Sequence, residues 1–149
     1  MGQFGTKYTR ATGEDNLMGH WASKYLGSKW TEQTDCLHWF RKISAEQFGR
    51  AVPTCSSIDY GNHLRSTIRV MRGNIAETFG YQQTETPKEG DAVFLSQRKL
   101  EHHIGMVVFL NGKMHVMHVL EGCGLVVSDE IDLSMNGWKI VSYWTPCDC

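Results

Sequence analysis

The sequence predicts an α+β domain, with helices of the N-terminal half packed on an antiparallel β-sheet built from the C-terminal half. Two observations predict it. Before Pro87 the apolar residues recur at helical spacing; after it they fall in short runs separated by turn signals. Between two of those runs stands Asn111-Gly112, a strong hairpin signal.

Taken in order, residues 1–15 are polar and glycine-rich without a period and read as an N-terminal arm. The domain is expected over 16–149. Asn16 to Trp30 carries scattered aromatics and room for a short helix. Thr34 and Asp35 are N-cap candidates, and Leu37, Phe40, Ile43 and Phe48 then keep a helical rhythm that Gly49 ends. A helix is expected over about 36–48, with Cys36 in its first turn. Pro53 to Gly61 reads as a loop. Leu64, Ile68, Met71, Ile75 and Phe79 form an apolar stripe, so a second amphipathic helix is expected before Gly80. Strands follow at Ala92–Leu95, Ile104–Phe109, Lys113–Leu120, Leu125–Ser128 and Lys139–Trp144.

The 149 residues suffice for one domain with a real core, without room for a second. Apolar content of 41% and charged content of 21% are ordinary for a soluble globular chain. A net charge of −1 gives no broad field for nucleic acid or an anionic membrane. The N-terminus lacks the apolar core of a secretory signal, and no run approaches a membrane span. The expectation is a protein made in a cytoplasm, with no nucleic-acid partner and no membrane insertion. Five cysteines at irregular spacing make a poor disulfide framework, so at least one free thiol is expected.

A thiol attacks carbonyls as the thiolate, which the positive end of a helix favours. Cys36 stands at such an end. It needs an imidazole partner and a group to orient that imidazole. The candidates are His102, His103, His115 and His118. With a two-residue turn at Asn111-Gly112, His118 faces Gly105 and becomes the diagonal neighbour of His103 on one sheet face. His115 faces Val108 and points to the other face, and His102 points away from His103. Zinc held by these histidines is not expected, because the faces alternate and no carboxylate or cysteine completes a set. No cofactor is expected.

The order of motifs adds a resemblance. Tyr25-Leu26-Gly27, Trp30, and Asp35-Cys36 opening a helix that ends at Phe48-Gly49 resemble the start of NlpC-type cell-wall cysteine peptidases, in particular the single-domain forms of phage tail gene clusters. Gly90-Asp91-Ala92-Val93-Phe94 is similar to that family's Gly-Asp-apolar strand. His103-Ile104-Gly105 is similar to its His-apolar-Gly strand, and His118-Val119-Leu120-Glu121-Gly122-Cys123-Gly124 to its His-apolar-Leu-Glu-Gly segment. The likeness runs from about Tyr25 to Trp144.

The resemblance implies a papain-like fold and a Cys–His–His triad, with Cys36 the nucleophile, His103 the general base and His118 the group orienting His103. It implies Tyr25 near the nucleophile and oxyanion site, and Trp30, Asp35 and Trp39 as substrate contacts. It also implies peptidoglycan stem peptides as substrate, phage tail-tip or hub proteins as partners, and a place in the virion tail. Leu37-His38-Trp39 depart from the small residue and glycine that often follow the cysteine. His115 fits the family's usual interval from the base better than His118 does. The Leu-Glu-Gly continuation and strand parity favour His118.

Overall fold

The computed structural model describes residues 19–31, 36–52, 80–97, 100–120 and 122–147, with the side chains of 100–102 excepted. The expected arm over 1–15, the loop from Pro53, the amphipathic helix ending at Phe79, Asp35 and the orientation of His102 lie outside the described residues.

The fold is α+β, as expected. A 3-10 helix, Trp21–Tyr25, precedes α1 (Cys36–Phe48). Then come β1 (Tyr81–Thr84), β2 (Ala92–Gln97), β3 (Leu100–Leu110), β4 (Lys113–Leu120), β5 (Gly124–Ser128), α2 (Glu130–Met135) and β6 (Trp138–Pro146). The strands form one six-stranded sheet in the order β1-β6-β2-β3-β4-β5, antiparallel throughout.

The β3–β4 hairpin has the expected register. Met106 pairs with Met117 and Val108 with His115. Asn111 at φ 53° and Gly112 at φ 76° make the two-residue turn. Two left-handed residues in succession match the twist of the flanking strands, which is why Asn-Gly is favoured there.

Strand alternation divides the sheet into two covered faces. On one, Ile104, Met106, Val108 and Leu110 of β3 and Met117 and Val119 of β4 pack with Leu37, Phe40 and Ile43 of α1. Those α1 positions recur every three residues and present one face to the sheet. On the other face, Val93, Leu95, Val107 and Val116 pack with Leu133 of α2, flanked by Trp138, Ile140 and Tyr143. α2 is held at its start by a capping box between Asp129 and Asp132.

Gly90-Asp91 fastens α1 to the sheet. The Asp91 side chain is fully buried, accepts from the Lys88 backbone N–H at 2.8 Å, and accepts from Thr145 Oγ1 at 2.9 Å. Arg50, just past α1, donates to the Gly90 carbonyl at 3.1 Å. A Cβ at Gly90 would lie 2.8 Å from the Phe48 ring, so the close approach of helix end and turn needs glycine there. At the far edge, Gly27 donates to the Leu125 carbonyl at 3.0 Å, and Leu125 donates to the Ser28 carbonyl at 2.7 Å. The segment after the 3-10 helix thus covers the outer edge of β5.

Three elements were not expected from the sequence: β1, α2, and the 3-10 form of the short helix. β1 is only four residues, Tyr-Gln-Gln-Thr, and reads as polar; its pairing with β6 makes it a strand. α2 is six residues, below the length at which an apolar period can be recognised.

Candidate active site

Cys36 is the first residue of α1, and its residue is 6% exposed. It belongs to the core shared by α1 and the sheet. Beside it lies a gap bordered by Trp39, Phe40, Ile43, Met117 and Leu125, and also by Gly105 and His118. The gap has about the room of a single water. In this arrangement Cys36 is a packed core residue at a helix start.

His103 and His118 come together. His103 Nε2 lies 2.9 Å from His118 Nδ1, both residues are buried, and the rings meet edge to face with centroids 5.1 Å apart. β3 and β4 bring them to one face as diagonal neighbours, the relation strand parity predicts. Gly105 stands between them in the hairpin. A Cβ there would lie 2.7 Å from Val116 Cγ1, 3.0 Å from the Met117 carbonyl oxygen and 3.3 Å from His118 Cβ. The glycine of the His-apolar-Gly segment therefore makes room for β4 at the point where the two imidazoles meet.

Two further residues complete the cluster. Trp138 of β6 stacks on His103, with centroids 4.6 Å apart and planes at 25°. Ser128, at the end of β5, has its Oγ 3.3 Å from His118 Nε2. Burial pushes the His118 pKa down to about 3, because the charged imidazolium loses its hydration in the interior. His118 is thus neutral across the physiological range.

Ser128 and Trp138 did not emerge from the sequence as site residues. Ser128 carries a signal only when the β4–β5 register is known: it pairs with Val116, which puts it on the His118 face. Trp138 comes to the site through α2 and β6, and the sequence gives no register for that return.

The pair and the thiol are on different faces. His103, Gly105 and Val107 alternate away from the α1 side of β3; Val116 and His118 do the same on β4. The expectation that Cys36, His103 and His118 meet at one point is therefore not what this arrangement shows: the sheet separates the thiol from the imidazoles. The physical reason is that parity relates residues within a sheet and carries no information on which face a helix covers.

Tyr25 also stands elsewhere than expected. Its hydroxyl donates to Glu46 Oε1 at 2.6 Å and accepts from Gln47 Nε2 at 3.1 Å. Glu46 is ten residues beyond Cys36, about 15 Å along the helix axis. Burial, then the Glu46 carboxylate, raises the Tyr25 pKa, so the hydroxyl stays a donor. Tyr25 anchors the far end of α1. Trp30 packs half-buried against the α1 core, and Trp39 borders the Cys36 gap with its Nε1 donating to the Lys29 carbonyl at 3.2 Å.

His115 lies on the α1 side of β4. Its Nδ1–H donates to the Lys113 carbonyl at 2.9 Å, and its Nε2 is buried without a hydrogen-bond partner among the described residues. Among the described residues no group of three or more His, Cys, Asp and Glu is placed to hold a metal ion, and no helix is long and apolar enough to cross a membrane.

No protein family, no curated protein and no solved structure was found to match the chain.

Proposed function

We propose that this chain is a papain-like cysteine peptidase of the NlpC type, a phage-tail-associated endopeptidase that hydrolyses amide bonds in peptidoglycan stem peptides. The observation that carries the reading is the buried, directly bonded His103–His118 pair. Two imidazoles in an apolar interior are costly, and packing alone gives no reason for them; pairs of this kind concentrate at sites of proton transfer. The ordered motifs from Tyr25 to Gly124 add the family resemblance.

In this reading Cys36 gives its thiol proton to His103, and the resulting thiolate attacks the amide carbonyl and forms a tetrahedral intermediate. His103 protonates the departing amine, leaving a thioester on Cys36. His103 then takes a proton from water, which attacks the thioester and frees the carboxylate and the thiol. His118 is the positioning residue. The chemistry requires the first turn of α1 and the His103 end of β3 to meet, a movement past the arrangement described above.

The second reading is a tail-tip structural component with little or no hydrolysis. The separation of Cys36 from the pair, and its burial beside a water-sized gap, favour it. Digestion of purified sacculi, with the muropeptides read by mass spectrometry, decides between them. The peptidase reading expects new stem-peptide fragments from the wild type and none from Cys36→Ala or His103→Ala. Identical muropeptides with all three proteins would leave the structural reading standing.

A further inference from the structure

The two hydrogen bonds of His118 constrain each other. A neutral imidazole has one N–H and one lone pair, so it donates at one nitrogen and accepts at the other. His118 Nδ1 faces His103 Nε2 at 2.9 Å, and His118 Nε2 faces Ser128 Oγ at 3.3 Å. The chain Ser128–His118–His103 therefore runs in one direction or the reverse.

Ser128 stands at the closed end of this chain. It is fully buried, and His118 is the hydrogen-bond partner of its hydroxyl among the described residues. If the hydroxyl only accepted, its proton would be buried without an acceptor, which is costly. If it donates, the surplus is a lone pair, which a hydroxyl tolerates better.

We propose that Ser128 is the positioning residue that sets the tautomer of the pair: its hydroxyl donates to His118 Nε2, and His118 Nδ1–H in turn donates to His103 Nε2. The neutral state of His118 agrees with its burial. It follows that neutral His103 carries its own proton on Nδ1. For catalysis, which rests on the peptidase reading, the resting His103 has no free lone pair and becomes a proton donor only once it has taken up a second proton. Taking up a second proton at Nε2 requires the chain to reverse, with Ser128 turning from donor to acceptor.

The test is the ring-nitrogen 15N spectrum of the full chain, which distinguishes protonated from unprotonated imidazole nitrogens. The wild type is expected to show His118 and His103 both protonated at Nδ1 and bare at Nε2. Ser128→Ala removes the end donor and is expected to shift His118 toward a mixture of tautomers. Ser128→Thr keeps a hydroxyl and is expected to restore the wild-type pattern, which a merely space-filling role would not require. Ser128→Cys, close in shape and a weak donor, is expected to fall between and guards against misfolding of any one variant. A wild-type His118 protonated at Nε2, or unchanged ring shifts in Ser128→Ala, overturns the proposal. These spectra are read whether or not sacculi are digested, so the tautomer assignment and the peptidase reading fail separately.

Discussion

At the scale of single residues, the two β4 histidines make opposite demands. His118 is bonded at both nitrogens, whereas His115 leaves Nε2 buried and unpartnered. Removing His118 takes away the hydrogen bond at His103 Nε2; removing His115 takes nothing from the pair. On the peptidase reading, His118→Ala is expected to lower sacculus hydrolysis by at least about 100-fold, with His115→Leu close to wild type. The reverse order would move the positioning role to His115. His115→Leu is also expected to unfold at an equal or higher temperature, since a buried unpaired acceptor costs about 1–3 kcal/mol. His118 should also leave a mark on acid stability. Its folded pKa is about 3, against about 6.5 when unfolded. Below pH 6.5 the unfolded chain binds a proton that the folded chain refuses. Its contribution to stability is thus complete above that pH and declines toward pH 3, by up to about 1.4 kcal/mol per pH unit. Urea midpoints at pH 7 and pH 4.5 should fall less in His118→Asn than in wild type; equal falls would refute the assignment.

At the scale of elements, the β3–β4 hairpin seats the imidazole pair and the Gly90-Asp91 turn ties α1 to the sheet. Asn111-Gly112 sets the hairpin register, and that register makes His103 and His118 diagonal neighbours. Gly105→Ala would force a methyl against Val116 and the Met117 carbonyl. Overpacking of this kind costs about 1–3 kcal/mol. The variant is expected to lose that stability in denaturant titration and to lengthen the His103–His118 contact. Retention of the wild-type ring-nitrogen spectrum in Gly105→Ala would count against a role for the glycine in seating the pair. Asp91 serves the other junction. Its carboxylate holds the Lys88 N–H and the Thr145 hydroxyl in the interior, so Asp91→Ala is expected to cost about 2 kcal/mol or more. The Gly-Asp segment thus has a structural account: it joins the end of α1 to β2 and β6, away from the thiol.

At the scale of the whole molecule, the question is which thiol the fold leaves reachable. Among the described residues, Cys36 is buried at the start of α1, while Cys123 and Cys147 are half-exposed. Alkylation of the native protein, mapped by peptide mass spectrometry, is expected to reach Cys36 at least about tenfold more slowly than Cys123 and Cys147. Faster reaction at Cys36 would mean that the first turn of α1 opens readily, the movement the peptidase reading requires. The sequence by itself determined the helix over Cys36–Phe48, the Asn-Gly hairpin and its register, and hence that His103 shares a face with His118 and not with His115. These follow from local period, caps and turn chemistry, which short stretches of chain express on their own. Only the tertiary structure decided which side of the sheet α1 covers, where the Tyr25 hydroxyl is held, and that Ser128 and Trp138 join the pair. Both faces of β3 are apolar, with Met106 and Val108 on one and Val107 and Phe109 on the other. Alternation therefore says which residues lie together, while the packing of α1 and α2 decides which of the two faces lies beneath the thiol.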